Sequence, residues 1–261
     1  MKKIVISLLI VAFAITANAQ QAEQLIRQAI SLRKAGNYTG AIALLCKNES
    51  IFAKEKELSG MYGQLSWYYL FTRDFNLAEQ AVRKSLKIDS TQTWVKTNLA
   101  HALLFEGKTA EAEIIYTELA NTIYYNEDTY AATLLDDFEQ FDKANIVPPK
   151  SKNDFEMIRT NLNKTNEAIK TFKQFEQLCI AGKFDDAIVI LHPCISFLPQ
   201  QHAQWVVKIL LERGNEYYKS GDYANSEKYL LEAKIVREQM LKKDHPAQLS
   251  FVKYNENLYQ K

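Results

Sequence analysis

The chain has 261 residues, 47% of them hydrophobic and 24% charged, and a formal charge of +1 at neutral pH. That composition suffices for one extended core or two small ones. Its balanced charge gives no electrostatic basis for binding nucleic acid or an anionic membrane, and its scarcity of glycine (8) and proline (5) favours ordered helix.

In chain order, the first element is an export signal. Lys2 and Lys3 precede the apolar run Ile4–Ile15, and Ala17-Asn18-Ala19 supplies the small-x-small pattern of a signal peptidase site. Cleavage is expected after Ala19. The run is too short to span a bilayer comfortably, and no cysteine follows the site, which argues against a lipoprotein. The mature chain is expected to be periplasmic or secreted, with 30 basic against 31 acidic residues and no integral membrane segment. Cys46, Cys179 and Cys194 make an odd count, which leaves at least one thiol unpaired or joined to another chain. Buried free thiols are expected, rather than a bridge between Cys179 and Cys194.

Self-similarity dominates the remainder. Five turns recur, each followed at a fixed offset by a small residue: Gly36-Asn37-Tyr38 with Ala41, Arg73-Asp74-Phe75 with Ala78, Gly107-Lys108-Thr109 with Ala112, Gly182-Lys183-Phe184 with Ala187, and Gly221-Asp222-Tyr223 with Ser226. The turn residue ends a helix where a positive φ is favoured. An aromatic two positions on is expected to plug the crevice between paired helices, and the small residue to let those helices approach. Apolar residues at helical spacing, such as Leu65, Tyr69, Ala78, Val82 and Leu86, complete the pattern.

These residues resemble the tetratricopeptide repeat (TPR) family. The second copy carries Tyr62, Leu65, Tyr69, Phe75, Ala78 and Asp89 at signature landmarks; the third carries Leu99, Ala100, Gly107, Ala112 and Tyr116. The fifth, with Gly214, Tyr217, Gly221, Tyr223, Leu230 and Ala233 and a long second helix ending at Asp244-His245-Pro246, is similar to the kinesin-light-chain variety. The resemblance implies an all-α fold: an α-solenoid of about five TPR-like hairpins, a divergent central helix pair and a C-terminal capping helix. The expected divisions are a signal peptide (1–19), an N-terminal array (20–126), a divergent helical spacer (127–167) and a C-terminal array with its cap (168–261).

Some positions depart from the pattern. Arg73 stands where the turn glycine is usual, Thr109 where an aromatic is usual, and Phe175 where a small residue is usual, so the fourth hairpin is expected to splay. Pro193 is expected to end or kink a helix. In the spacer, Asp128–Ala144 is amphipathic through Tyr130, Leu134, Leu135, Phe138 and Phe141. Pro148-Pro149 breaks the chain, and a helix restarts over Asp154–Leu162. This segment resembles the insert of exported bacterial proteins that join such repeats to caspase-like peptidases of the CHAT type. At the end, His245–Gln260 is read as a lone helix that caps the array.

Chemistry is hard to find. No phosphate-binding glycine loop, G-x-S-x-G or H-E-x-x-H pattern occurs. His192, Cys194 and His202 lie near one another in sequence, without a visible oxyanion hole or a full metal-ligand set. The carboxylates Asp136, Asp137, Glu139 and Asp142 read as a solvated helix face. No catalytic residue, cofactor or metal is expected, and the protein is read as not an enzyme. The family resemblance instead implies a concave groove lined by first helices. Carried onto this chain, it comprises Trp67, Leu70 and Phe71; Trp94, His101, Leu104 and Phe105; and Lys208, Leu211, Asn215, Tyr218 and Lys219. An exported scaffold that binds a protein or peptide partner is therefore expected. The alternatives are an accessory subunit of an envelope peptidase and a carbohydrate-binding module.

Overall fold

The computed structural model describes residues 20–52, 55–125 and 128–240. The expected signal segment and the expected capping helix at His245–Gln260 lie outside them. The fold is all-α, a succession of helical hairpins on the plan of an α-solenoid, interrupted by one short ribbon.

Helix α1 covers residues 20–34, followed by α2 (Tyr38–Lys47), α3 (Glu55–Phe71), α4 (Phe75–Ile88), α5 (Val95–Glu106) and α6 (Thr109–Asn121). Strands β1 (Ile123–Tyr125) and β2 (Asp128–Thr129) pair antiparallel, Ile123 opposite Thr129. Then come α7 (Tyr130–Lys143), α8 (Lys152–Ile180), α9 (Phe184–Leu191), α10 (Gln200–Ser220) and α11 (Tyr223–Met240). The chain divides into two compact units, residues 1–115 with 140–154 and residues 116–139 with 155–261. Residues 127–167, expected as a separate spacer, are thus apportioned between the two units, and the expected boundary at 167/168 falls inside α8. With no glycine or proline between Lys152 and Ile180, nothing local interrupts that 29-residue helix.

All five turns end their first helices in the same way. Gly36, Gly107, Gly182 and Gly221 have φ of 75°, 86°, 75° and 83°, and Arg73 adopts 65°. The next amide reaches back to close the helix: Asn37 to Leu32 O, Asp74 to Tyr69 O, Lys108 to Leu103 O, Lys183 to Leu178 O and Asp222 to Tyr217 O. This left-handed cap satisfies carbonyls that would otherwise be orphaned. A sixth instance ends α7, where Asn145 has φ 50° and Ile146 N bonds Phe141 O. The sequence pattern hid it, because Asn replaces Gly and Val147-Pro148-Pro149 follows. Left-handed backbone costs Arg73 roughly 1 kcal/mol. Its Nη2 donates to Asn145 O at 2.6 Å, a charge-assisted bond that offsets the strain.

The small residues after the turns are all buried: Ala41, Ala78, Ala112 and Ala187 fully, Ser226 nearly so. Three of the four turn aromatics do something other than expected. Tyr38 stacks on Phe71 of α3 at 4.5 Å, Phe75 meets Phe105 of α5 at 5.1 Å, and Phe184 lies edge-on to Tyr229 of α11. Each of these three rings meets the next hairpin, because a turn projects beyond the helices it connects, whereas Tyr223 meets Tyr218 of its own hairpin. Thr109, which lacks a ring, makes the same kind of joint with a hydroxyl that donates to Asp154 Oδ2 at 2.6 Å.

In the first unit the core gathers Leu45, Met61, Leu65 and Tyr68 with small residues of α1, α2 and α4. Ser59 and Ser85 bring α3 and α4 close, each hydroxyl bonding the other residue's carbonyl, at 3.0 and 2.8 Å. In the second unit Phe172, Phe175, Leu191, Val206 and Leu210 form the core. Phe175 is fully buried there, so the bulk expected to splay the hairpin is absorbed as packing. Pro193 acts as expected: α9 stops at Leu191 and a 3-10 turn, His192–Phe197, replaces it. All three cysteines are free; Cys179 and Cys194 are half-buried, but Cys46 is exposed, against expectation.

Candidate partner-binding faces

The expected groove residues separate into two groups. In the first unit, Trp67 and Phe71 of α3 and His101 and Phe105 of α5 face one another across successive first helices, as their helical spacing requires. They do not line an open groove. Phe141, at the end of α7, fills the space among them, with ring centres 5.4 Å from Trp67, 5.7 Å from Phe71, 4.7 Å from His101 and 5.2 Å from Phe105. Phe141, His101, Phe105, Leu104 and Leu70 are buried; Trp67 and Phe71 are half-buried. Leu70, Leu104, His101 and Phe105 are therefore core residues. No local pattern warned of this, since the ring packed on His101 and Phe105 lies 36 residues beyond Phe105.

Trp94 stands apart from this cluster. It caps the start of α5 and its Nε1 donates to Gln92 Oε1 at 2.7 Å. Its ring lies on Gly63 of α3, where an added Cβ would come within 2.6 Å of Trp94 Cη2. Close approach is the reason that position is glycine. Below it, Asn98 donates to Gly63 O at 3.2 Å and to Ser66 Oγ at 2.9 Å, so this asparagine is an internal tie between α3 and α5. Glu79 joins the second and third copies, accepting from Lys108 and Arg83 at 2.6 Å each. Burial pushes its carboxyl up, but those two hydrogen bonds outweigh burial and hold it below the usual carboxylate range.

An open groove of about 530 Å³ lies beside the closed cluster, at the turn end of α4 and α5. Arg73, Phe75, Leu77, Glu106, Pro148 and Lys150 are among its lining residues.

The second unit presents the opposite arrangement. Along α10, Lys208, Leu211, Asn215 and Tyr218 follow one another at intervals of three and four and are all exposed. Trp205 extends the same face by one turn, a residue that the family landmarks omit although its spacing from Lys208 could have found it. Trp205 is 42% exposed, Leu211 40% and Tyr218 62%. Lys219 is exposed beside Tyr218, and the Tyr218 ring leans on Tyr223 of α11 at 5.5 Å. Two aromatics, a leucine, a lysine and an amide on one helix face suit recognition of a peptide or helix.

The histidine–cysteine neighbourhood disperses. His192 Nε2 lies 2.8 Å from Glu232 Oε2, Cys194 Sγ donates to Leu191 O, and His202 is buried edge-on to Phe172. Burial pushes the Cys179 thiol up to about 11 and raises Cys194 as well, so both stay protonated at neutral pH and neither is poised as a nucleophile. Among the described residues no cluster of three or more His, Cys, Asp or Glu could hold a metal ion.

Residues 59–92 and residues 208–247 each match the tetratricopeptide repeat family. The first match covers most of α3 and all of α4; the second begins at Lys208 and takes in the exposed half of α10 with α11. No curated protein matches the chain.

Proposed function

We propose that this protein is an exported, non-catalytic scaffold whose tetratricopeptide repeats recruit a protein or peptide partner on the exposed face of α10. The observation that carries the reading is the stripe Trp205, Lys208, Leu211, Asn215 and Tyr218, exposed along α10, which matches the family from Lys208 onward. Repeats of this family suggest a protein partner, and the stripe supplies the aromatic anchors with hydrogen-bonding groups between them. The groove first expected around Trp67 is the weaker candidate, because Phe141 already fills it.

Export rests on the Lys2-Lys3 start, the Ile4–Ile15 run and the Ala17-Asn18-Ala19 site. Among the described residues no helix is long and apolar enough to cross a membrane. The 18 described residues of α11 support assigning the last hairpin to the kinesin-light-chain variety. Likeness of the central segment to repeat–peptidase fusions of the CHAT type makes an envelope peptidase the first partner class to try.

Two measurements test the proposal. Mass spectrometry of the protein recovered from the cell envelope should show Gln20 as its first residue; a retained Met1 refutes export. Captured from envelope extract, the partner should be lost at least tenfold in the Trp205→Ala/Tyr218→Ala variant, because paired aromatic anchors dominate such interfaces, and retained by Trp67→Ala/Trp94→Ala. The reverse result would move the site back to the first unit.

A further inference from the structure

The open groove of about 530 Å³ in the first unit takes no part in the α10 reading. It is not the space between first helices. Phe75 and Leu77 come from the second helix α4, Pro148 and Lys150 from the segment after α7, and Phe105 and Glu106 from the end of α5. Its floor is apolar: the Phe75 ring packs on Phe105 at 5.1 Å, Pro148 is half-buried, and Leu77 stays 43% exposed.

The charges around that floor do not cancel. Glu106 Oε2 is paired with Lys108 at 2.6 Å, and Lys108 together with Arg83 also holds Glu79, so these two acids and two bases balance one another. Of the charged lining residues, that leaves Asp74 against Arg73 and Lys150. Asp74 Oδ2 is already engaged, accepting from Thr72 Oγ1 at 2.6 Å. Arg73 donates to Asn145 O at 2.6 Å and Lys150 to Glu106 O at 2.8 Å, and among the described residues neither has a carboxylate within ion-pair distance. Backbone carbonyls thus hold both side chains at the rim without neutralising them, and each keeps further N–H donors.

We infer that this groove binds an acidic peptide segment. An apolar side chain of the partner lies against Phe75, Leu77, Phe105 and Pro148, and a neighbouring carboxylate meets Arg73 and Lys150. The guanidinium takes a carboxylate through parallel N–H donors and the ammonium takes it as a point charge. Capture of acidic motifs by such cations is a recurrent mode of peptide recognition. The apolar floor alone would accept many segments, whereas the positive rim selects acidic ones and repels basic ones. Because the groove is open rather than enclosed, it admits a length of chain. The site is independent of the α10 face and stands if that face binds nothing.

The test titrates the end-blocked peptide Gly-Glu-Phe-Glu-Gly into the full chain and follows backbone amides by NMR. Those of Phe75, Leu77, Glu106 and Lys150 should shift saturably, and those on the α10 stripe should not. The peptides Gly-Lys-Phe-Lys-Gly and Gly-Glu-Ser-Glu-Gly should each bind at least tenfold more weakly, the first for want of charge and the second for want of an apolar anchor. Arg73→Gln/Lys150→Gln keeps a donor for each carbonyl and removes both charges; it should lower affinity for the acidic peptide at least fivefold. Leu77→Asp, at an exposed position, should do the same by setting the chain's own carboxylate against the rim. Absence of shifts at these four amides overturns the inference, as does equal binding of the acidic and basic peptides or unchanged affinity in both variants. A dimer in sedimentation velocity that Arg73→Gln/Lys150→Gln dissolves would give the groove to a second copy of the chain and overturn it equally.

Discussion

The first helices α5 and α10 occupy the same place in their repeats but have met different fates. On α5 the residues carried over from the family's groove, His101 and Phe105, are sealed beneath Phe141. On α10 the equivalent stripe, Lys208 to Tyr218, stays open. The difference shows that a repeat landmark fixes which way a side chain points from its own hairpin, and not what lies over it. Coverage is decided by distant chain. A groove residue in a degenerate array is therefore a binding residue only where no other segment of the same chain has arrived first.

The contrast can be broken most forcefully at Phe141. Truncation to alanine removes a fully buried ring from a cluster of five and should cost about 3–5 kcal/mol, read by urea denaturation. A loss below roughly 1 kcal/mol would mean that the cluster is not closed in solution. Acid offers a second comparison. Because the Glu79 carboxyl is held below its unfolded value, it adds stability above the unfolded carboxylate pKa and loses it as pH falls through the folded one. Glu79→Gln should therefore flatten the loss of stability on acidification below about pH 5. An unchanged slope in denaturant midpoint against pH would rule out the Lys108–Glu79–Arg83 link as a tie between copies. The smallest effect is expected on the open face. Tyr218→Ala should change stability by no more than about 0.5 kcal/mol while weakening partner capture. A larger destabilisation would show that this ring belongs to a core.

The repeat was legible because its signals are local. A positive φ at the turn and a small residue at the helix contact can each be read within a dozen positions, and all five turns were found where the backbone makes them. The sixth cap, at Asn145, was missed because asparagine tolerates the left-handed region without announcing it. Of the expected groove, the residues on α10 are exposed, and Trp205 was within reach of the same spacing argument. Leu70, His101 and Phe105 were placed by a family rule that assumes an empty groove. Tyr38, Phe75 and Phe184 were assigned to the wrong crevice for a related reason: the hairpin that receives each of these rings lies downstream, and a turn read in isolation shows only its own two helices.

By itself the sequence determined the helical hairpins, their turns, the small contacts and the amphipathic faces, since each depends on backbone preference and periodicity over one or two turns of helix. Only the tertiary structure decided that Phe141 closes the first unit's groove, that Arg73 offsets its strained backbone with a bond to Asn145 O, and that α10 keeps its stripe uncovered. Those outcomes depend on which residues far apart in the chain come within a few ångströms of each other, and helical periodicity carries no record of that distance.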